Sequence, residues 1–364
     1  MLRSMYSGIS GMKSNQVKLD VIGNNIANVS TTGFKSSSAR FTDMLYQNVS
    51  SATAPTSTKG GTNAKQVGLG SQLASINKVM GQGNALSTGR SLDVCIDGDG
   101  YLIVGTGPAS YGGDDGTKGG TSIVNGSING GDMDILYTRD GNLTLDHEGN
   151  LLTADGYRVM GYYLTDGTNT SIKEGEVKDK DGNVIGTKPE ANFVDADKKP
   201  TAVGAVDGKS GGTLQPLVIP DSVMKPKINE DGSEGDLEPV PVKSFSIGKD
   251  GVITAVLGDG SRAALGQVAM GSFKNPEGLT SVGGNLLEAS SNSGPVIVKT
   301  STGTTDGDNS KGFGDFIQGA LEASNVDLTE QFTDMITATR AFQASSKMIS
   351  TADEILQTIT GLMR

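Results

Sequence analysis

Apolar residues recur at alternating spacings of three and four at both ends of this chain, and that pattern constrains the fold more than any other feature. At the N-terminus Leu2, Met5, Ile9, Met12, Gln16, Leu19, Gly23 and Ile26 fall on one line. Six of the eight positions are apolar, an a/d seam of the coiled-coil kind that Gln16 and Gly23 weaken. At the C-terminus Leu328, Phe332, Met335, Thr339, Phe342, Ser346 and Ile349 keep the same alternation, and Leu356 and Met363 extend it past Asp353 and Thr360. From Asp327 to Met363 there is no proline and the one glycine is Gly361, so 37 residues can run as a single helix. Such a helix is roughly 55 Å long at 1.5 Å per residue. Asn325 or Asp327 is placed to cap it, with Glu330 three residues after Asp327 in capping-box position. A helix of this kind takes its stability from burying its stripe. The simplest partner for each seam is the other, which predicts that the two chain ends come together.

Between the seams the pattern changes. The chain has 53 glycines in 364 residues, about double the usual share of roughly 7%. Asp-Gly, the dipeptide suited to a type I′ hairpin turn, occurs twelve times between Asp97 and Gly307. Ile135 to Arg139, Asp140-Gly141 and Asn142 to Asp146 read as strand, turn and strand. Phe245 to Ile247, Gly248 to Gly251 and Val252 to Leu257 read as a second hairpin, and Gly258 to Ser261 turns again into Arg262 to Met270. The alternation of Leu143 and Leu145 predicts sheets with one buried face. Ser50 to Gly70, rich in Ser, Thr, Gly and Ala without a period, reads as an extended connector. Lys173 to Pro241 holds 7 of the 11 prolines and reads as a separate inserted unit.

Several kinds of chemistry are excluded by counting. The formal net charge of −11 argues against a general nucleic-acid binder, which needs a basic face. One histidine, His147, and one cysteine, Cys95, cannot build a zinc site of the usual kind or an intrachain disulfide. His147 sits in Asp146-His147-Glu148-Gly149-Asn150, which reads as an exposed turn. Cys95 has no Lys, Arg or His beside it to lower its pKa. Asp97-Gly98-Asp99-Gly100 lacks the distal Glu of a calcium loop and reads as a tight turn before Tyr101 to Val104. Lys311-Gly312-Phe313-Gly314 lacks the spacing of a phosphate loop. No stretch has the apolar length of a signal core or a membrane span, so the chain reads as cytoplasmic or exported without a cleaved signal. No catalytic, cofactor-binding or metal-ligating residues are expected, and no cofactor.

The run Asn24-Asn25-Ile26-Ala27-Asn28-Val29-Ser30-Thr31-Thr32-Gly33-Phe34-Lys35 carries the most information. Its Asn, Ser and Thr side chains compete for backbone hydrogen bonds and end a helix, and Gly33 permits a reversal. Its order closely resembles the N-terminal signature of the bacterial flagellar rod and hook proteins, NNIANxxTxGFK. Thr88 to Tyr101 is similar to that family's TGxxLDxAIxGxGFF segment, and Tyr137 to Asp146 to its YTRxGxFxxD segment. Ser324-Asn325-Val326-Asp327-Leu328-Thr329-Glu330-Gln331-Phe332, with Met335-Ile336 and Arg340 to Ala344, matches its C-terminal signature. Cys95 and Leu102 depart from the usual small apolar and aromatic residues.

The resemblance implies a non-enzymatic, self-assembling subunit. The implied fold class is mainly β with long terminal α-helices: residues 1–30 and 325–364 form a helical coiled-coil polymerisation domain. Residues 31–70 would be an extended connector, 71–160 and 242–310 a middle β domain, 161–241 an outer inserted β domain, and 311–324 a second connector. Rod members are generally shorter and lack a large inserted domain, so the length favours a hook subunit, with the distal rod protein as the alternative. A secreted β-rich adhesin would explain the turns and acidity but not the paired seams. The hook reading implies a curved tube acting as a universal joint between rod and filament, outside the cell and exported without a cleaved signal. Its implied partners are other copies of itself, the distal rod protein, the hook cap and hook–filament junction proteins, and the flagellar type III export apparatus, with no nucleic acid and no membrane insertion.

Overall fold

A computed structural model describes residues 2–107, 121–124, 127–129, 133–165, 170–178, 184–198, 200–202, 213–228, 234–299 and 314–362. Met363, at the end of the C-terminal seam, and most of the loop around Lys311 lie outside them, as do six of the twelve Asp-Gly turns. The chain divides into two compact units. One holds Met1–Ser30, Lys35–Gly81 and Ser324–Arg364, and the other holds Thr31–Phe34 and Gln82–Ala323.

The first unit is built on the two terminal helices, α1 (Leu2–Ala27) and α2 (Leu328–Leu362). They run antiparallel: Gly8 lies against Ile349, Gly11 against Ser345, Lys18 against Asp334, and Asn25 against Gln331. Both helices are free of proline, and α1 stops where Asn24, Asn25 and Asn28 offer side-chain acceptors and donors in place of the next turn.

The connector expected over 31–70 is instead mostly a β-ribbon. Strand β1 (Ser37–Asp43) pairs antiparallel with β4 (Ser71–Lys78), and β2 (Tyr46–Ser50) with β3 (Lys65–Gly68). Thr53 bridges Thr62, and Thr56 and Lys59 close the tip. Polar side chains pair across the ribbon, Thr53 Oγ1 with Thr62 Oγ1 at 2.7 Å and Gln66 Nε2 donating to Asn48 Oδ1 at 2.6 Å. The distal part, β2 and β3, is exposed on both faces, so no apolar alternation marks it in the sequence.

The second unit is all strand apart from two single-turn 3₁₀ helices among the described residues. Strand Tyr101–Thr106 lies at its centre. It pairs antiparallel with Asp134–Thr138 along one edge, and with Arg158–Tyr162 and Met270–Ser272 along the other. One core gathers Val94, Leu102, Val104, Leu151, Ile253 and Phe316, and a second gathers Ile103, Tyr137, Met160, Leu214 and Phe273. Strand Glu234–Ile247 turns through Gly251, at φ +73°, into Val252–Leu257, and Gly260, at φ +86°, leads into Arg262–Val268, as the turn residues predict.

Two expectations do not hold in this unit. Asp140-Gly141 does not close a hairpin: Asp134–Thr138 pairs with Tyr101–Thr106 and Leu286–Glu288, whereas Leu143–Leu145 pairs with Leu151–Thr153. Gly141 is held close under strand Val94–Asp97, its carbonyl accepting from the Val94 N–H, and a Cβ there would overlap the Val94 carbonyl. Among the described residues, 161–241 is not set apart from its neighbours as a compact unit, although Tyr163, Ile172 and Val218 form a small cluster of its own. Leu217, Ile219 and Val223 join the core of Val94 and Leu102, and Leu164, Val194 and Leu214 join that of Ile103. Five of its seven prolines, Pro189, Pro216, Pro226, Pro239 and Pro241, sit within paired strands, so they do not mark a domain boundary.

Candidate functional site

The residues of the two terminal signatures gather into two knots of side-chain-to-backbone hydrogen bonds. The first lies in the helical unit. Asn25, on the last turn of α1, donates from Nδ2 to the Ser37 carbonyl (2.8 Å) and to Gln331 Oε1 (3.0 Å), and its Oδ1 accepts from the Ser37 N–H (2.9 Å). The amide thus offers β1 the same donor and acceptor that a neighbouring strand would. Lys35 is buried and donates from Nζ to the Gly81 carbonyl at 2.8 Å. Asn325 accepts from the Ser36 N–H at 2.7 Å and donates to the Val79 carbonyl at 2.7 Å. With Asn325 so engaged, Asp327 caps α2, its Oδ1 accepting from the Thr329 and Glu330 N–H groups. Asn28 donates back to the Asn24 carbonyl, and Ser324 Oγ accepts from the Val326 N–H. Asn24 and Ala27 are exposed, and Val326 is half-buried.

The second knot lies in the β unit. Thr32 Oγ1 donates to Asp140 Oδ1 at 2.9 Å, Asn285 Nδ2 donates to the Thr32 carbonyl at 3.0 Å, and the Gly33 N–H donates to the Glu322 carbonyl at 2.8 Å. Gly33 has φ +67°, and a Cβ there would lie 3.0 Å from the backbone of Arg139 and Asp140, so glycine is required on both counts. Phe34, the next residue, is half-buried. The Glu322 carboxylate is 1% exposed and meets the Arg139 guanidinium, 4% exposed, at 3.2 Å, and it also accepts from the Gly83 N–H at 2.9 Å. Arg139 donates to the Gly98 carbonyl and lies 5.4 Å from the centroid of the Tyr101 ring. Burial pushes the Asp140 carboxyl above its ordinary range, against the hydrogen bonds from Asn142 and Thr32 that pull it down.

The apolar seam and the face that pairs the helices are not the same. On α1 the buried positions are Gly8, Ser14, Ile22 and Asn25, while Met5, Met12, Leu19 and Ile26 are half-buried and Ile9 is 37% exposed. Leu2 lies at the start of α1. On α2 the buried positions are Ala338 and Ala352. Met335, Phe342, Ile349 and Leu356 flank them half-buried, while Leu328 and Phe332 are 40% and 50% exposed. A Cβ on Gly8 would come within 3.2 Å of Ile349 Cγ1, so the close approach depends on small residues. The bulkiest apolar side chains, Tyr6, Phe332 and Ile336 among them, are left on outward faces.

Arg139, Asp140 and Thr32 lie in signature segments read from the sequence, but Glu322, the partner of Arg139, and Asn285, a partner of Thr32, carry no such signal. Glu322 in Ala320-Leu321-Glu322-Ala323 is the one hint, an acidic residue inside a short strand. His147 lies exposed in the turn after Leu143–Leu145, and the Cys95 thiol is buried on strand Val94–Asp97.

Comparison with known proteins follows the same residues. Residues 5–35 match the flagella basal body rod protein family, 127–234 the flagellar hook protein FlgE/F/G D1 domain, and 317–362 the flagellar basal body rod FlgEFG protein C-terminal family. The chain is 38% identical over 364 residues to the flagellar basal-body rod protein FlgG of Bacillus subtilis, covering all of both proteins. It is 31% identical over 475 residues to the flagellar hook protein FlgE of Borreliella burgdorferi, again covering all of both. To the FlgG of Agrobacterium fabrum it is 27% identical over 362 residues, covering 99% of this chain and 98% of that protein. The chain therefore belongs to the flagellar hook and basal-body rod family, whose members are structural components of the bacterial flagellum.

Proposed function

We propose that this chain is the subunit of the flagellar hook, assembling with other copies of itself into a curved hollow tube that transmits torque from rod to filament. The observation that supports the hook reading is the 31% identity to the hook protein FlgE of Borreliella burgdorferi, which covers all of both chains. Within 161–241 the β unit also carries an elaboration. There two hairpins, Ile172–Lys178 with Val184–Asn192 and Ser222–Ile228 with Glu234–Ile247, are joined side by side through a parallel pairing of Ala191 with Val223. The outward apolar residues of α1 and α2 supply the surface for packing between copies, where burial of each large side chain contributes about 1.5–3 kcal/mol. The distal rod protein, the hook cap and the hook–filament junction proteins are the neighbours this reading assigns, and export through the flagellar type III apparatus is its route.

The identity to the Bacillus subtilis FlgG favours a second reading, the distal rod subunit. Electron microscopy of polymers grown from the full chain separates the two. Curved, supercoiled tubes are expected for the hook, and uniformly straight tubes would replace that reading with the rod.

A further inference from the structure

We propose that Thr31–Phe34 is a clasp that fastens the root of α1 beside the root of α2 and so starts the pairing of the two helices. These four residues are flanked on both sides by residues of the helical unit, yet they belong to the β unit. Three hydrogen bonds hold them there: Gly33 N–H to the Glu322 carbonyl, Thr32 Oγ1 to Asp140, and Asn285 Nδ2 to the Thr32 carbonyl. The other side of the clasp is equally fixed. The Glu322 carboxylate is bound by Arg139 and the Gly83 N–H, and the Ala323 N–H donates to the Asn84 carbonyl at 2.8 Å.

The consequence is entropic. α1 ends at Ala27 and α2 begins at Leu328, each six residues along the chain from the Gly33–Glu322 hydrogen bond. With the clasp closed, the two helices are joined by a short effective loop of those two six-residue stretches. With it open, α1 is joined to the β unit only through the ribbon 35–81. Because the ribbon is paired at its base, Ser37 with Lys78, the open loop is about twenty residues against twelve, and the length dependence of loop closure makes the first contact between the helices about twofold less frequent. Pairing can begin at Asn25 with Gln331, nearest the roots, and proceed through Lys18 with Asp334 to Gly8 with Ile349. Small and polar residues on that face give little affinity of their own, so a pre-closed root matters more here than in a leucine-rich pair. In the hook or rod reading, on which only the link to assembly rests, the helices can loosen before assembly without losing each other.

Hydrogen exchange read by mass spectrometry on the full-length monomer tests the clasp without any polymer. The amides of 31–34 are expected to exchange as slowly as strand Tyr101–Thr106 and more slowly than α1. Gly33→Ala, which has neither the backbone freedom nor the space, is expected to release 31–34 and speed exchange in α1 about twofold, leaving Tyr101–Thr106 unchanged. Thr32→Val removes one hydrogen bond at constant shape and is expected to act in the same direction more weakly, which keeps the test open if Gly33→Ala does not fold. Wild-type 31–34 exchanging in step with α1, or α1 exchange unaltered once 31–34 is released, overturns the proposal. Expected exchange behaviour in a chain that forms no tubes leaves the clasp standing and removes the assembly reading instead.

Discussion

The Asn25 side chain and the Ser37 backbone exchange two hydrogen bonds, Nδ2 to the carbonyl at 2.8 Å and N–H to Oδ1 at 2.9 Å. An asparagine at the end of α1 thus acts as a pairing partner for the first residue of β1. Asn25→Leu leaves the half-buried N–H and carbonyl of Ser37 without these partners and removes the bond to Gln331. A loss of about 1–3 kcal/mol is expected from each orphaned group of this kind. It should appear as a lower melting midpoint of the helical signal at 222 nm, with the near-ultraviolet signal of the β unit unchanged. Equal shifts in both signals would contradict this assignment.

Arg139 and Glu322 form a buried ion pair, 4% and 1% exposed. Arg139→Met strands the carboxylate among strands and is expected to destabilise the β unit by about 3–5 kcal/mol, the usual penalty for removing one partner of such a pair. Adding Glu322→Gln should restore part of that loss. Urea unfolding of the single and double variants measures the difference, and additive effects would mean that the two residues do not act as a pair.

Asp140 carries a pH signature. Its native carboxyl is raised above 3.8, chiefly by burial and further by the charges of Asp155 and Asp93. The folded protein therefore binds this proton more tightly than the unfolded chain, so ionisation of Asp140 opposes folding at neutral pH. That opposition is relieved as the pH falls through the native value toward 3.8. Asp140→Asn keeps an acceptor for Thr32 and Asn142 and removes the charge. The variant should melt higher than wild type at pH 7, with the advantage shrinking toward pH 4. A lower midpoint at pH 7 would show that the charge itself stabilises the Thr31–Phe34 segment.

Cys95 has no exposed surface, and its strand is paired with Asp315–Gln318. The thiol should react with a water-soluble aromatic disulfide only once the chain is unfolded, and it should form no cross-links between copies in native polymers. Reaction at the rate of a small thiol in native buffer would mean that the pairing of Cys95 with Ile317 opens readily.

Phe332 is half in water on α2 while Met335 and Phe342, on the packed side, are less exposed. Phe332→Asp should leave the monomer's unfolding free energy within about 0.5 kcal/mol of wild type, as for most surface changes, and abolish sedimentable polymer. Normal tube formation by this variant would place the contact between copies elsewhere.

How much of this was legible beforehand follows from where each signal resides. The two helices, a cap at Asn325 or Asp327, the turns at Gly251 and Gly260 and the exposed loop around His147 depend on neighbours within a few residues. Local spacing and turn chemistry therefore determined them from the sequence. The order of residues in Asn24 to Lys35 and Ser324 to Phe332 pointed to the flagellar family for the same reason. The partners of those signature residues could not be read: Gln331 for Asn25, Asp140 and Asn285 for Thr32, and Glu322 for Gly33 lie between about 100 and 300 positions away. Likewise the periodic seam identified helices but not their mutual face. Which stripe turns inward depends on how closely two backbones can approach, and Gly8, Gly11, Ala338 and Ala352 allow an approach that Ile9 and Phe332 do not. Tertiary structure also decided that 161–241 shares the core of its neighbours and that 37–78 is a ribbon. Burial is a property of what lies opposite a strand, and a strand with both faces in water carries no period to announce it.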